Sequence, residues 1–133
     1  MCAITEDLKQ KVWSKATPVN QYNANNYRKD ACGAWISFDK YGDRKSIFGW
    51  EIDHIFPKSI LRDRNVPDEE IDQIDNLRPL NWVNNDSKGT DYPSYHARLT
   101  SEDGKNKMCD EEMEVNPDVQ ATIDRLFGKY LKP

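Results

Sequence analysis

Residues 50–89 read WEIDHIFPKSILRDRNVPDEEIDQIDNLRPLNWVNNDSKG. The opening alternates, so Trp50, Ile52 and His54 fall on one face of a strand and Glu51, Asp53 and Ile55 on the other. Pro57, which has no N–H to give to a ladder, ends it. Residues 60–75 form an irregular excursion with one helical turn expected at 67–73, where Pro67 suits the first position. Asn76 to Leu80 is a short apolar segment. Asn81 then caps a helix expected to run to about Lys88, with Gly89 as its stop.

This layout puts particular chemistry together. A carboxylate at a strand end (Asp53) and an amide on a short helix (Asn85) are hard oxygen donors of the kind a magnesium-like ion takes. Two such donors leave room for water and phosphate oxygens. A neutral imidazole beside them, at His54, can take a proton from water. Together these parts describe metal-assisted phosphodiester hydrolysis.

The residues DHIFPKS, followed by DNLRPLNWVNNDSKG, resemble the HNH endonucleases, whose usual pattern is D-H-I-x-P-x-S, then N-L-x-x-L, then a His or Asn nine residues after the central Asn. Asp53, His54, Ile55, Pro57 and Ser59 match the opening, and Asn76, Leu77 and Leu80 the centre. Asn85 matches the third position, and Lys88 and Gly89 the basic close. This Asp-His, Asn, Asn variant is similar to the HNH domain of RNA-guided CRISPR nucleases. The resemblance covers about 40 residues. It implies an α+β fold with a ββα-metal (HNH, His-Me finger) core and flanking N- and C-terminal helices.

The resemblance also implies roles. His54 would be the general base. Asp53 and Asn85 would hold one divalent ion, Mg2+ or Mn2+, with Asn84 as the alternative to Asn85. Asn76 would keep off the metal and pin the loop around His54 through backbone hydrogen bonds. Lys58, Arg78 and Lys88 would contact the phosphates, and Arg62 and Arg64 are weaker candidates. Products would carry a 5′ phosphate. The chain departs from the family in two ways: "ILRD" and an insertion stand where Gly-Gly usually follows the Ser, and the four-Cys zinc common in the family cannot form. No structural zinc is therefore expected, and Trp13, Trp35, Trp50, Trp82 and the final helix must pack in its place.

The rest of the 133 residues fits around this centre as one domain over 1–133, with the motif core at about 34–89. Four Trp, six Tyr and four Phe supply a core. Cys2, Cys32 and Cys109 are an odd number and widely spaced, with no C-x-x-C pair, which argues against a zinc ribbon or a disulfide framework. No apolar run suits a signal peptide or a membrane span, so an intracellular location is expected. Net charge is −4, divided as +1 over residues 1–27, +2 over 28–65 and −7 over 66–133. That distribution counts against bulk-charge coating of nucleic acid.

Outside the motif, Thr5 caps a helix expected to carry Leu8 and Val12 on one face. Residues 17–31 read as a loop, with Arg28-Lys29-Asp30 as a solvated face or local ion pair. Residues 33–38 read as a strand, joined through a turn at Gly42 and Asp43 to a second strand over 47–55, which Pro57 ends. Residues 90–115 read as an irregular tail containing a surface histidine, His96. Pro117 then opens a helix over about 117–131, with Val119, Ile123, Leu126, Phe127 and Tyr130 on its packed side. Trp82 reads as core rather than as a base-stacking platform.

The function expected is a metal-dependent DNA endonuclease without a visible sequence-reading element, so specificity would be low or supplied by a protein partner. The alternatives are a catalytically silent HNH-fold module that binds nucleic acid or protein, and an RNA-directed nuclease.

Overall fold

The computed structural model describes residues 4–131, a mixed α+β arrangement of five helices and three small antiparallel sheets. The first helix, α1, spans Glu6–Trp13, and Thr5 Oγ1 accepts the Leu8 N–H at 3.0 Å. It lies beside β5 (Leu77–Asn81). Val12 and Trp13 pack with Ile36, Trp50 and Leu77 in one apolar cluster.

The span expected to be a loop carries two short strands, β1 (Thr17–Pro18) and β2 (Tyr27–Lys29). These join β3 (Trp35–Ser37) in a three-stranded sheet of order β1-β2-β3. The strand ending at His54 is β4 (Trp50–His54), and it does not pair along its length with 33–38. Its partner is β5, with Asp53 opposite Arg78 and His54 opposite Leu77. This register places Trp50 and Leu77 on one face of the pair, and Leu80 and the residue after the strand, Ile55, on the other. The pair therefore stands between two apolar clusters, the second containing Ile55, Leu61, Ile71, Leu80, Tyr95, Ile123 and Phe127.

The excursion between the paired strands is more regular than expected. It holds α2 (Lys58–Asp63), α3 (Asp68–Ile71) and a 3-10 turn at Ile74–Asn76. Pro67 sits at the cap of α3 rather than in its first turn. After β5, α4 covers Trp82–Lys88. Asn81 Oδ1 accepts the Val83 N–H at 3.0 Å, and Gly89 stops the helix at φ 53°.

The expected irregular tail is instead a long hairpin, β6 (Ser94–Glu102) with β7 (Lys105–Glu114). Its two-residue turn, Asp103-Gly104, has φ of 53° and 77°. Positive φ at both positions is the geometry that Asp-Gly supplies most readily. Tyr95, Ala97 and Leu99 point inward, and Ser94, His96 and Arg98 outward. The last helix, α5 (Pro117–Leu131), buries Ile123 and Phe127 in the second cluster.

Asp30 corrects the expectation of a solvated charge run. It is 3% exposed and accepts four hydrogen bonds: from the Cys32 and Ala34 amides, the Asn81 amide and Asn84 Nδ2, at 2.9–3.0 Å. Arg28 donates to the carbonyls of Ala24, Ser14 and Ala16. Burial pushes the Asp30 carboxyl upward in pKa against those four donors. Because all four partners are donors, the ionised form is the one that satisfies them. Asp30→Asn, which turns an NH2 toward N–H groups, is expected to cost about 3 kcal/mol in urea unfolding. An unchanged midpoint would contradict this role.

Candidate functional site

The site begins at the end of β4. Asp53 is 4% exposed. Its Oδ2 accepts from Arg78 Nε at 3.0 Å, and Lys88 Nζ lies 3.3 Å from its Oδ1. The first contact follows from strand pairing, since residues directly opposite share a face. The second arises because α4 packs across that face. Lys88 Nζ also donates to the His54 carbonyl at 3.2 Å. Burial lowers the Lys88 pKa, and Asp53 offsets only part of the effect. For Arg78 burial also favours the neutral form, but Asp53 and Tyr95 outweigh it, and the guanidinium lies 5.0 Å from the Tyr95 ring centre.

His54 is held at its far nitrogen. Nε2 lies 2.8 Å from Asp72 Oδ1, and Lys58 Nζ reaches both Asp72 oxygens at 3.1 and 3.2 Å. Burial raises the Asp72 pKa, but the bonds from His54 and Lys58 overcome it and hold the carboxyl below its ordinary value.

Asn76 is fully buried. Its Oδ1 accepts the Phe56 N–H at 2.8 Å, and its Nδ2 donates to the carbonyls of Phe56 at 3.2 Å and Ile71 at 3.0 Å. It touches the backbone just after His54 and the residue just before Asp72.

Asn84 and Asn85 part company on α4. Asn84 is buried, donates to Asp30 and the Leu99 carbonyl, and accepts from the Arg98 and Leu99 amides, so its amide is filled. Asn85 donates Nδ2 to Glu51 Oε1 at 2.9 Å, which commits its nitrogen and leaves its oxygen without a hydrogen bond among the described residues. Burial opposes ionisation of Glu51, yet bonds from Arg44 and Asn85 hold its carboxyl low. Arg44 also reaches Asp86 at 2.9 Å.

Asp53, His54 and Asn85 line one open pocket of about 200 Å3, together with Ile52, Lys58 and Thr90. Of the three cations expected at phosphate, only Lys58 lines it. Lys88 is 1% exposed, and the Arg78 side chain is 12% exposed. Both are turned inward because the Asp53 carboxylate is buried between them. His96 is exposed on β6, 3.3 Å from Asp110. Trp82 is half-buried, donates Nε1 to the Ser46 carbonyl and lies under Arg44.

A larger cavity of about 800 Å3 lies elsewhere, between Lys15, Tyr95, Val115 and Val119. It shares none of Asp53, His54 and Asn85. Its Lys15 and Arg78 cations are already engaged, with carbonyls and with Asp53. Among the described residues no group of three or more His, Cys, Asp and Glu side chains could hold a metal. A metal in the small pocket would rest on Asp53 and the Asn85 oxygen, with water or phosphate completing its shell.

Sequence reading did not find Asp72 or Glu51. Asp72 stands in an acidic run 18 residues after His54 and carries no spacing signal. Glu51 had one, because alternation places it on the Asp53 face. No family model, curated protein or solved structure matches this chain.

Two expectations follow. Asn76→Ala, which strips a buried N–H and two carbonyls of their partner, is expected to destabilise by about 2–4 kcal/mol in chemical denaturation; a loss below about 0.5 kcal/mol would rule out the clamp. Glu51 and Asp72 have folded pKa values below their unfolded ones, so their contribution is present above the ordinary carboxylate range and is lost as pH falls through the folded values. Glu51→Gln is therefore expected to flatten the fall in melting temperature below about pH 4.5, and an unchanged acid limb would contradict the pairing.

Proposed function

We propose that this chain is a divalent-metal-dependent endonuclease of the HNH type that hydrolyses phosphodiester bonds in DNA. The observation that carries the reading is the meeting of Asp53, His54 and Asn85 on one pocket, with Asn76 clamping the backbone just beyond His54. The order β4, β5, α4 supports a ββα-metal reading of this part of the fold.

The donor set fits a hard divalent ion. Asp53 offers a carboxylate, and Asn85 offers the amide oxygen that Glu51 leaves uncommitted. Asp53 already faces two cations, of which Lys88 at 3.3 Å is the more loosely held. Mg2+ or Mn2+ bound there would neutralise the scissile phosphate and stabilise the leaving 3′ oxygen. The chain's own residues supply the rest. His54 takes the proton from the attacking water. Asn76 keeps the His54 backbone in register. Lys58, at the pocket wall, provides positive charge for a phosphate. Arg78 and Lys88 hold Asp53 in place rather than gripping substrate. The product would carry a 5′ phosphate. With an overall charge of −4 and no sequence-reading element, target choice would fall to a protein partner or stay relaxed.

A second reading has its own observation. The double ion pair on Asp53 also suits a silent module that keeps the fold to bind nucleic acid or protein. Nicking of supercoiled plasmid with Mg2+ or Mn2+ separates the two. Wild type is expected to nick, EDTA to stop it, and His54→Ala to lose on the order of 100-fold or more. Equal nicking by wild type and His54→Ala would end the enzymatic reading, and preferential digestion of single-stranded RNA in a parallel reaction would end the DNA assignment.

A further inference from the structure

We infer that Asp72 is the positioning residue of the site: it accepts the Nε2–H of His54, fixing the imidazole's tautomer and orientation, and leaves Nδ1 as the nitrogen that takes the proton of the attacking water. The catalytic half of this inference rests on the nuclease reading above; the tautomer does not.

An ionised carboxylate can only accept. A neutral imidazole 2.8 Å from it must therefore carry its single proton on the nitrogen that faces it, which here is Nε2. The other nitrogen, Nδ1, makes no hydrogen bond among the described residues, and His54 lines the pocket shared by Asp53 and Asn85.

The Asp72 carboxylate is itself immobilised, because Lys58 Nζ bridges both of its oxygens. The side chains of His54, Asp72 and Lys58 are 16%, 14% and 15% exposed, so the chain of contacts is largely shielded from water. Its backbone is fixed as well. Asp72 closes α3 by donating its N–H to the Asp68 carbonyl at 2.9 Å, and the preceding Ile71 is fully buried. Asn76 Nδ2 holds the Ile71 carbonyl, while the same amide holds Phe56. One side chain thus clamps the strand end that carries His54 to the turn that carries Asp72. The insertion that separates this chain from the HNH pattern is the segment that delivers the carboxylate.

The step balances simply. As the water oxygen bonds to phosphorus and the bond from phosphorus to the 3′ oxygen breaks, the water proton passes to Nδ1. The imidazolium so formed is stabilised by Asp72 across Nε2–H, the 3′ oxygen takes a proton from solvent, and His54 later returns its own to solvent. A carboxylate in this place sets the tautomer and supports the charged ring without changing its own protonation.

Two readouts test this. Long-range 1H–15N correlation of ring-labelled protein, recorded at about pH 8.5 where an ordinary imidazole is neutral, should show His54 as the Nε2–H tautomer in wild type and a shift toward Nδ1–H in Asp72→Asn, whose amide can present a donor. Plasmid nicking should show kcat falling about 10–100-fold in Asp72→Asn with KM little changed, and partial recovery in Asp72→Glu. Asp72→Glu keeps the test available if the Asn variant fails to fold. An unchanged tautomer in Asp72→Asn overturns the inference, as does a shifted tautomer with undiminished kcat. A wild type that shows the Nε2–H tautomer but cuts nothing with any divalent ion sinks the nuclease reading and leaves the Asp72–His54 pair standing.

Discussion

Asn76 holds two separate stretches of backbone at once. From a fully buried position it accepts from Phe56 and donates to Phe56 and Ile71, and its own carbonyl accepts the Ile55 amide. A buried amide that makes three side-chain hydrogen bonds is worth more than its net bond energies, because removing it strands every partner. The geometry around His54 depends on this one side chain. The end of β4 cannot shift without Phe56, and the turn bearing Asp72 cannot shift without Ile71. A second buried hub, Asp30 with Asn84, does the same for the other side of α4 by tying the β2–β3 turn to the helix start and to β6.

Local signals made several elements legible in the sequence. The caps at Thr5, Asn81 and Gly89, the opening of α5 at Pro117 and the alternation at 50–55 all rest on short-range physics, and the structure places them within a residue or two. Pairing was not legible. Two strands joined through a Gly-containing turn look like a hairpin, yet the 33–38 strand pairs with β2, and β4 finds its partner across 22 intervening residues. Tertiary burial decides that choice: Trp50 and Leu77 complete one cluster while Ile55 and Leu80 complete the other. The β6–β7 hairpin was missed for a different reason. Its Asp103-Gly104 turn and the inward alternation of Tyr95, Ala97 and Leu99 are adequate hairpin signals, but β7 is mostly exposed and charged and reads as polar tail.

The charged groups divide the same way. Sequence spacing brings Asp53, His54 and Asn85 to one pocket, and it separates Asn85 from its neighbour Asn84, which the core absorbs. It does not reveal that Arg78 and Lys88 turn inward. That outcome follows from two contacts of Asp53, one across the strand pair and one across the helix packing. Burying a carboxylate is costly unless cations accompany it, so the two lysine and arginine side chains that looked like substrate contacts are taken up in stabilising a ligand candidate.

The most direct measurement is anomalous scattering from crystals soaked with Mn2+. One peak is expected in the pocket beside His54, bonded to Asp53 and to the Asn85 oxygen, and lost in Asp53→Ala. No peak there at saturating Mn2+, with Asp53 still paired to both Arg78 and Lys88, would contradict it.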